Sequence, residues 1–216
     1  MLETRRFVKG KIYHIFNKSI SNFRIFKTPE SSLRFIAALD FYNKKNKTAS
    51  FSKHLRKNPE LEGINVLTPK KHGMIKFLSY CIMPDHYHIL IKALTDDRVS
   101  KYISDVENSF SRYFNVRFNR KGPLWQSRVK SVLIRKNEQL LHVSRYIHLN
   151  PTTSKLVINP EDWEFSSYRS YIYNESFLRK YLTEISIENP KLYKKFVEDQ
   201  KDYQQKLKTM RSHLVD

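Results

Sequence analysis

Two histidines one residue apart, His86 and His88, stand in the stretch Cys81-Ile-Met-Pro-Asp-His-Tyr-His-Ile-Leu-Ile-Lys92. On a strand, residues i and i+2 point to the same face, so both imidazoles would aim at one spot. Tyr87, Ile89 and Ile91 would face the other way, into a core. Two neutral imidazoles on a rigid strand make half of a divalent-metal site. The same pair would equally serve as hydrogen-bonded structural histidines. About sixty residues on, Tyr146 and Asn150 lie four apart on an expected helix and therefore share a face with Val143. A phenol beside a metal ion has a use: it can attack phosphorus and hold the product as a phosphotyrosine. Only roughly a thousandth of a free phenol is ionised at neutral pH, so the ion's work would be to polarise and orient the phosphate. Asn150 offers its amide oxygen as a third ligand. Transesterification of this kind conserves the energy of the broken bond and needs no nucleotide hydrolysis. Tyr146 is nevertheless one of thirteen tyrosines, and a core role is its ordinary alternative.

The elements that must position these groups can be read from periodicity. Residues 11–16 read as a first strand, and about Glu30 to Asn43 as a helix with Leu33, Ile36, Ala37 and Phe41 in one stripe. Residues 44–73, polar and basic with Pro59, Gly63, Pro69 and Gly73, look like an insertion with one short helix. Strands at 75–82 and 86–93, joined at Pro84-Asp85, form an antiparallel hairpin. A long amphipathic helix follows from Arg98 to Phe118, its stripe from Val99 to Phe118 read as core. Gly122-Pro123 breaks the chain, Val129–Ile134 is a strand, and Glu138–Asn150 a helix that Pro151 should end. Beyond Tyr173, Leu192, Phe196, Tyr203, Leu207 and Met210 suggest a lysine-rich helical tail packed on the body or reaching a partner. The interleaving with a central hairpin argues an α+β fold with a mainly antiparallel sheet. Residues 1–174 make the main domain and 175–216 a C-terminal helical extension.

Composition narrows the functions. Among 216 residues, 40 Lys and Arg stand against 21 Asp and Glu, a formal charge of +19. Such a surface repels itself, and a polyanion is its usual partner, which favours nucleic acid over a merely solvated basic shell. The single cysteine, Cys81, excludes an internal disulfide and Cys-rich zinc patterns. No apolar leader and no run of about 18 apolar residues occurs, so a cytoplasmic protein with no membrane contact is expected. None of the four glycines sits in a phosphate-cradling loop, which removes Walker-type and dinucleotide-binding functions.

Four ordered stretches carry a resemblance: Met83-Pro-Asp-His-Tyr-His-Ile-Leu90, Gly122-Pro-Leu-Trp-Gln-Ser-Arg-Val-Lys-Ser131, Arg145-Tyr-Ile-His-Leu-Asn-Pro151 and Glu161-Asp-Trp-Glu-Phe-Ser-Ser-Tyr-Arg169. Together, from about Lys11 to Tyr171, they resemble the REP-associated tyrosine transposases, a branch of the single-tyrosine HUH (His-hydrophobic-His) transposases. The resemblance implies a ferredoxin-like sheet flanked by helices, the HUH endonuclease fold. It implies cleavage of single-stranded DNA beside hairpin-forming repeats, through a 5′-phosphotyrosine intermediate and with Mg²⁺ or Mn²⁺. By motif position, His86 and His88 become metal ligands, Tyr146 the nucleophile, and Asn150 the residue completing the metal shell. Tyr87 is bulkier than the aliphatic residue often found there, but should point away from the metal. Trp125, Arg128, Lys130 and Arg145 are candidates for DNA contact, since phosphates need cations and unstacked bases need flat faces. Trp125 has core, and Arg128 and Lys130 exposed strand charge, as their alternatives. His14 and Asn17 could approach the site, though a structural polar role is expected of both, and Asp85 reads as a turn residue. One tyrosine per chain permits a homodimer or a monomer. Two other functions fit parts of the pattern: a catalytically inactive binder of structured DNA or RNA, and a hydrolytic metalloenzyme. The second needs further His or Asp ligands nearby, where Ile89, Leu90 and Ile91 stand instead.

Overall fold

The computed structural model describes residues 7–43, 50–57, 73–96, 98–173, 184–187 and 189–204. Strand β1 spans Ile12–Lys18, β2 Ile75–Ile82, β3 His86–Ala93 and β4 Lys130–Ile134. They form one sheet in the order β2-β3-β1-β4, and each neighbouring pair is antiparallel. With helices α1 (Pro29–Tyr42) after β1 and α3 (Arg98–Arg117) after β3, the order is that of a ferredoxin-like βαββαβ unit. The short helix α2 (Phe51–Lys57) lies in the stretch read as an insertion, the rest of which falls mostly outside the described residues.

Alternation divides the apolar side chains between two cores. Tyr13, Ile15, Tyr87, Ile89 and Ile91 pack with Phe35 and Ile36 of α1 and with Val99, Tyr102, Ile103, Val106, Phe110 and Phe114 of α3. On the opposite face, Leu78, Cys81 and Leu90 pack with Leu140, Ile147 and Leu149 of helix α4 (Asn137–Thr153). Tyr168 and Tyr171 of α5 (Tyr168–Ile172) and Tyr193 and Val197 of α6 (Pro190–Glu198) complete this second core. A register shift between Phe77 and Ser79 changes the parity of β2, so that Phe77 and Tyr80 both reach the first core and Cys81 the second.

Three expectations need correction. Helix α4 runs through Pro151 to Thr153. A proline in the last turn removes one backbone donor only, and the helix closes at Ser154, whose N–H bonds Asn150 O at 2.9 Å. Lys155 then turns left-handed at φ 55°. Phe118 lies past the end of α3 and is exposed, not core. In α6 the buried residues are Tyr193 and Val197 while Leu192 is exposed, as is Tyr203 beyond the helix. Leu207 and Met210 lie outside the described residues.

Candidate active site

The antiparallel pairing sets the site's rows. Phe16 is opposite His88 on one side and Lys130 on the other, Cys81 is opposite His88, and Lys18 is opposite His86. Directly paired residues share a face, so His86, His88, Phe16, Lys18 and Lys130 all stand on the side covered by α4. His86 and His88 have ring centroids 5.1 Å apart. Together with Lys18, Gln126, Ser127 and Lys130 they line an open cleft of about 200 Å³.

Each imidazole has one nitrogen already engaged. His86 Nδ1 is 2.6 Å from Asp85 Oδ1. A carboxylate only accepts, so the proton sits on Nδ1 and Nε2 carries the free lone pair. Asp85 is itself 3.4 Å from Lys18 Nζ. Burial alone would raise its pKa, but the hydrogen bond from His86 and the nearby Lys18 ammonium hold it below the ordinary carboxylate value. Asp85 is therefore more than the turn residue expected. Its backbone also ties the hairpin to the next loop, Ser19 N–H bonding Asp85 O at 2.8 Å.

His88 Nδ1 lies 3.0 Å from His14 Nε2. Burial lowers the pKa of His14 to about 4 and that of His88 well below its ordinary value, so both are neutral near pH 7. One proton is then shared between these two nitrogens. When His88 donates it, His88 Nε2 is left with a lone pair. His14, taken from sequence as a structural polar residue, thus sits at the centre of the constellation. Its place on the same strand face as Phe16 and Lys18, two and four residues before them, was the available signal.

Tyr146 comes from α4. Its ring stands edge-on to His88 with centroids 5.4 Å apart and to His14 at 6.3 Å, and it is 42% exposed. It abuts His88 without lining the cleft. Asn150, one turn further, is buried, and its Nδ2 has no hydrogen-bond partner among the described residues. Such an orphan is unusual in a packed interior. The two ends of an amide differ only by a flip.

The donor set can be tested against a cation. Among the described residues no three His, Cys, Asp or Glu side chains converge to cage one. Two imidazole nitrogens on one strand face suit an ion that keeps most of its positions for water and phosphate, and do not fit a closed structural zinc site.

The remaining candidates separate. Lys130 is exposed at the cleft, and Arg128 is exposed beside it. Trp125 is turned into the first core, its ring 5.6 Å from Tyr87 and 6.0 Å from Phe35, with Nε1 donating to Glu107 O at 3.4 Å. The ring is half-buried there. Arg145 is held against α6: its guanidinium carbon is 4.4 Å from the Phe196 ring centre and Nη1 donates to Phe196 O at 3.4 Å. A helix turns 100° per residue, so a neighbour of Tyr146 in sequence points elsewhere.

Residues 44–150 match the model of the family described as "Transposase IS200 like". A curated protein of Haemophilus influenzae, a putative REP-associated tyrosine transposase, is 29% identical over 108 residues, 45% of this chain and 61% of that one. The chain thus spans less than two thirds of that relative's length. A solved REP-associated tyrosine transposase bound to a REP hairpin shares the fold, with a TM-score of 0.53 at 20% identity over 81% of this chain and 87% of that one. In motif, family model and fold alike, the chain resembles the REP-associated tyrosine transposases of the IS200-like group.

Proposed function

We propose that the protein is a transposase-type endonuclease and strand transferase acting on single-stranded DNA next to a hairpin, with Tyr146 as nucleophile. The observation that carries this reading is the Tyr146 ring at 5.4 Å from His88, two residues from different elements meeting on one face of the sheet. In the reaction, the Tyr146 oxygen forms a bond to phosphorus as its proton leaves. The bond from phosphorus to the 3′ oxygen breaks, a 3′ hydroxyl departs, and a 5′-phosphotyrosine remains. Attack by a second 3′ hydroxyl reverses these steps and joins new ends. His86 and His88, through Nε2, and Asn150 would hold a divalent cation, Mg²⁺ or Mn²⁺. When bound, such an ion polarises the phosphate and offsets its growing charge. Lys130 adds a fixed positive charge at the cleft for the backbone.

The test is covalent trapping on a suicide oligonucleotide that carries a hairpin and a scissile single-stranded flank. The wild type should form an adduct that survives denaturation and that chelation of divalent ions prevents. Tyr146→Phe should lower adduct formation by about a thousandfold or more while retaining binding, and His86→Ala should remove the metal dependence together with the activity. A gel shift with no adduct under any divalent ion would overturn the enzyme reading in favour of a DNA- or RNA-binding protein. An adduct persisting in Tyr146→Phe would move the nucleophile elsewhere.

A further inference from the structure

The rings of the first core continue out to the surface. Phe26 and Phe110 stack at 4.9 Å, Phe110 and Phe114 lie 6.1 Å apart, and Phe114 and Phe118 4.5 Å. Phe23 meets Phe114 edge-on at 5.9 Å. At the outer end Phe23 and Phe118 are 49% and 45% exposed. Arginines flank both rings. Arg117 lies 5.9 Å from the Phe118 ring centre, and Arg120 lies 6.0 Å from that of Phe23. Segments 20–30 and 108–123, which carry these rings, hold six basic residues (Arg24, Lys27, Arg112, Arg117, Arg120, Lys121) and one acid, Glu30.

The backbone holds the rings there under strain. Ser21 and Asn22, just before Phe23, have φ of 50° and 55°, and Asn119, just after Phe118, has 46°. Non-glycine residues in this region persist only where surrounding contacts over-determine them. Those contacts are present: Ser19 Oγ donates to Phe23 O at 2.5 Å, and Arg120 donates to Asn115 Oδ1 at 3.1 Å and Pro123 O at 2.7 Å. The same loops run into the active site. Ile20 N–H bonds Leu124 O at 3.0 Å and Gln126 N–H bonds Lys18 O at 2.8 Å, and Lys18 and Gln126 line the cleft.

We infer that Phe23 and Phe118 form a stacking platform for unpaired nucleotides flanking the phosphate that Tyr146 attacks, with Arg117 supplying a cation to their backbone. Arg120 clamps the turn that presents the platform. The inference rests on the DNA reading above and adds to it a place for the flanking strand. Exposed flat rings accept any unpaired base, and the cations beside them favour a polyanion over a second, equally basic copy of this chain.

The test reads binding alone, in Tyr146→Phe protein that forms no adduct, by fluorescence anisotropy. Two probes are used: a DNA hairpin alone, and the same hairpin with a single-stranded tail. The tail should strengthen binding. Phe23→Ala or Phe118→Ala should weaken binding of the tailed probe by roughly 5- to 150-fold and leave the bare hairpin unchanged. Phe118→Trp, which keeps a flat face, should retain the affinity. Arg117→Gln should reduce the salt slope for the tailed probe by about one, whereas the phenylalanine variants keep it. The proposal is overturned if the tail adds no affinity, if the alanine variants bind both probes like the parent, or if they alter self-association instead. Because no cleavage is measured, its failure leaves the phosphotyrosine reading intact, and an absent adduct leaves this one intact.

Discussion

His86 can hold a cation only through a nitrogen that carries no proton, and the carboxylate at 2.6 Å from Nδ1 decides which nitrogen that is. Asn in place of Asp85 can donate or accept, so it no longer selects the tautomer. Asp85→Asn should lower the apparent affinity for Mn²⁺, read by electron paramagnetic resonance titration without DNA, by about 10- to 100-fold. An unchanged affinity would reduce Asp85 to its part in the hairpin turn. Side-chain roles of this kind were unevenly legible. That His86 and His88 share one face, and Tyr146 and Asn150 another, follows from spacing. The parts of Asp85 and His14 do not, because a tautomer is set by whatever atom lies next to the ring, and for His14 that atom comes from a strand 74 residues away.

At the scale of elements, α3 does more than fill the first core. Buried Glu107 accepts from Asn17 Nδ2 at 2.8 Å and from Tyr87 Oη at 2.7 Å, so it fixes residues next to both the cleft and the histidines. Burial is the largest influence on its carboxyl and raises the pKa above the ordinary value, against the pull of those two hydrogen bonds. A carboxyl raised by folding binds a proton more readily in the native state than in the unfolded chain. Its contribution to stability is therefore present at low pH and lost as pH rises through the raised value. Glu107→Gln keeps an acceptor and never ionises. Its stability should match the wild type near pH 4 and exceed it at pH 8, by on the order of 1 kcal/mol, in urea unfolding at the two pH values. A difference that does not grow with pH would mean that Glu107 ionises as freely in the fold as outside it. The bounds of β2 and β3 could be read from two short runs joined at the Pro84-Asp85 break, a local signal. The register shift in β2 left no such mark, because a bulge is stabilised by what packs on either side of it.

For the molecule as a whole, the second core joins α4 to the C-terminal segment. Neutral His148, its pKa lowered to about 3 by complete burial, bridges Tyr193 Oη at 2.9 Å and Ser167 Oγ at 2.8 Å, and Tyr193 Oη donates to Ser144 Oγ at 3.1 Å. Tyr193→Phe leaves buried polar groups without a partner and should destabilise the protein by about 1–3 kcal/mol. Tyr203→Phe, at an exposed position, should stay within about 0.5 kcal/mol of the wild type. Equal effects in urea unfolding would show that α6 does not brace α4. By itself the sequence determined what depends on short-range geometry: that His86 and His88 share one face of a strand, that Tyr146 and Asn150 share one face of a helix, and that the surface is strongly cationic. Which face of the sheet α4 covers, and hence whether the phenol meets the imidazoles at all, was decided only in the tertiary structure. That choice rests on the strand order β2-β3-β1-β4 and on burying two separate apolar sets at once, and such long-range burial leaves no periodic trace along the chain.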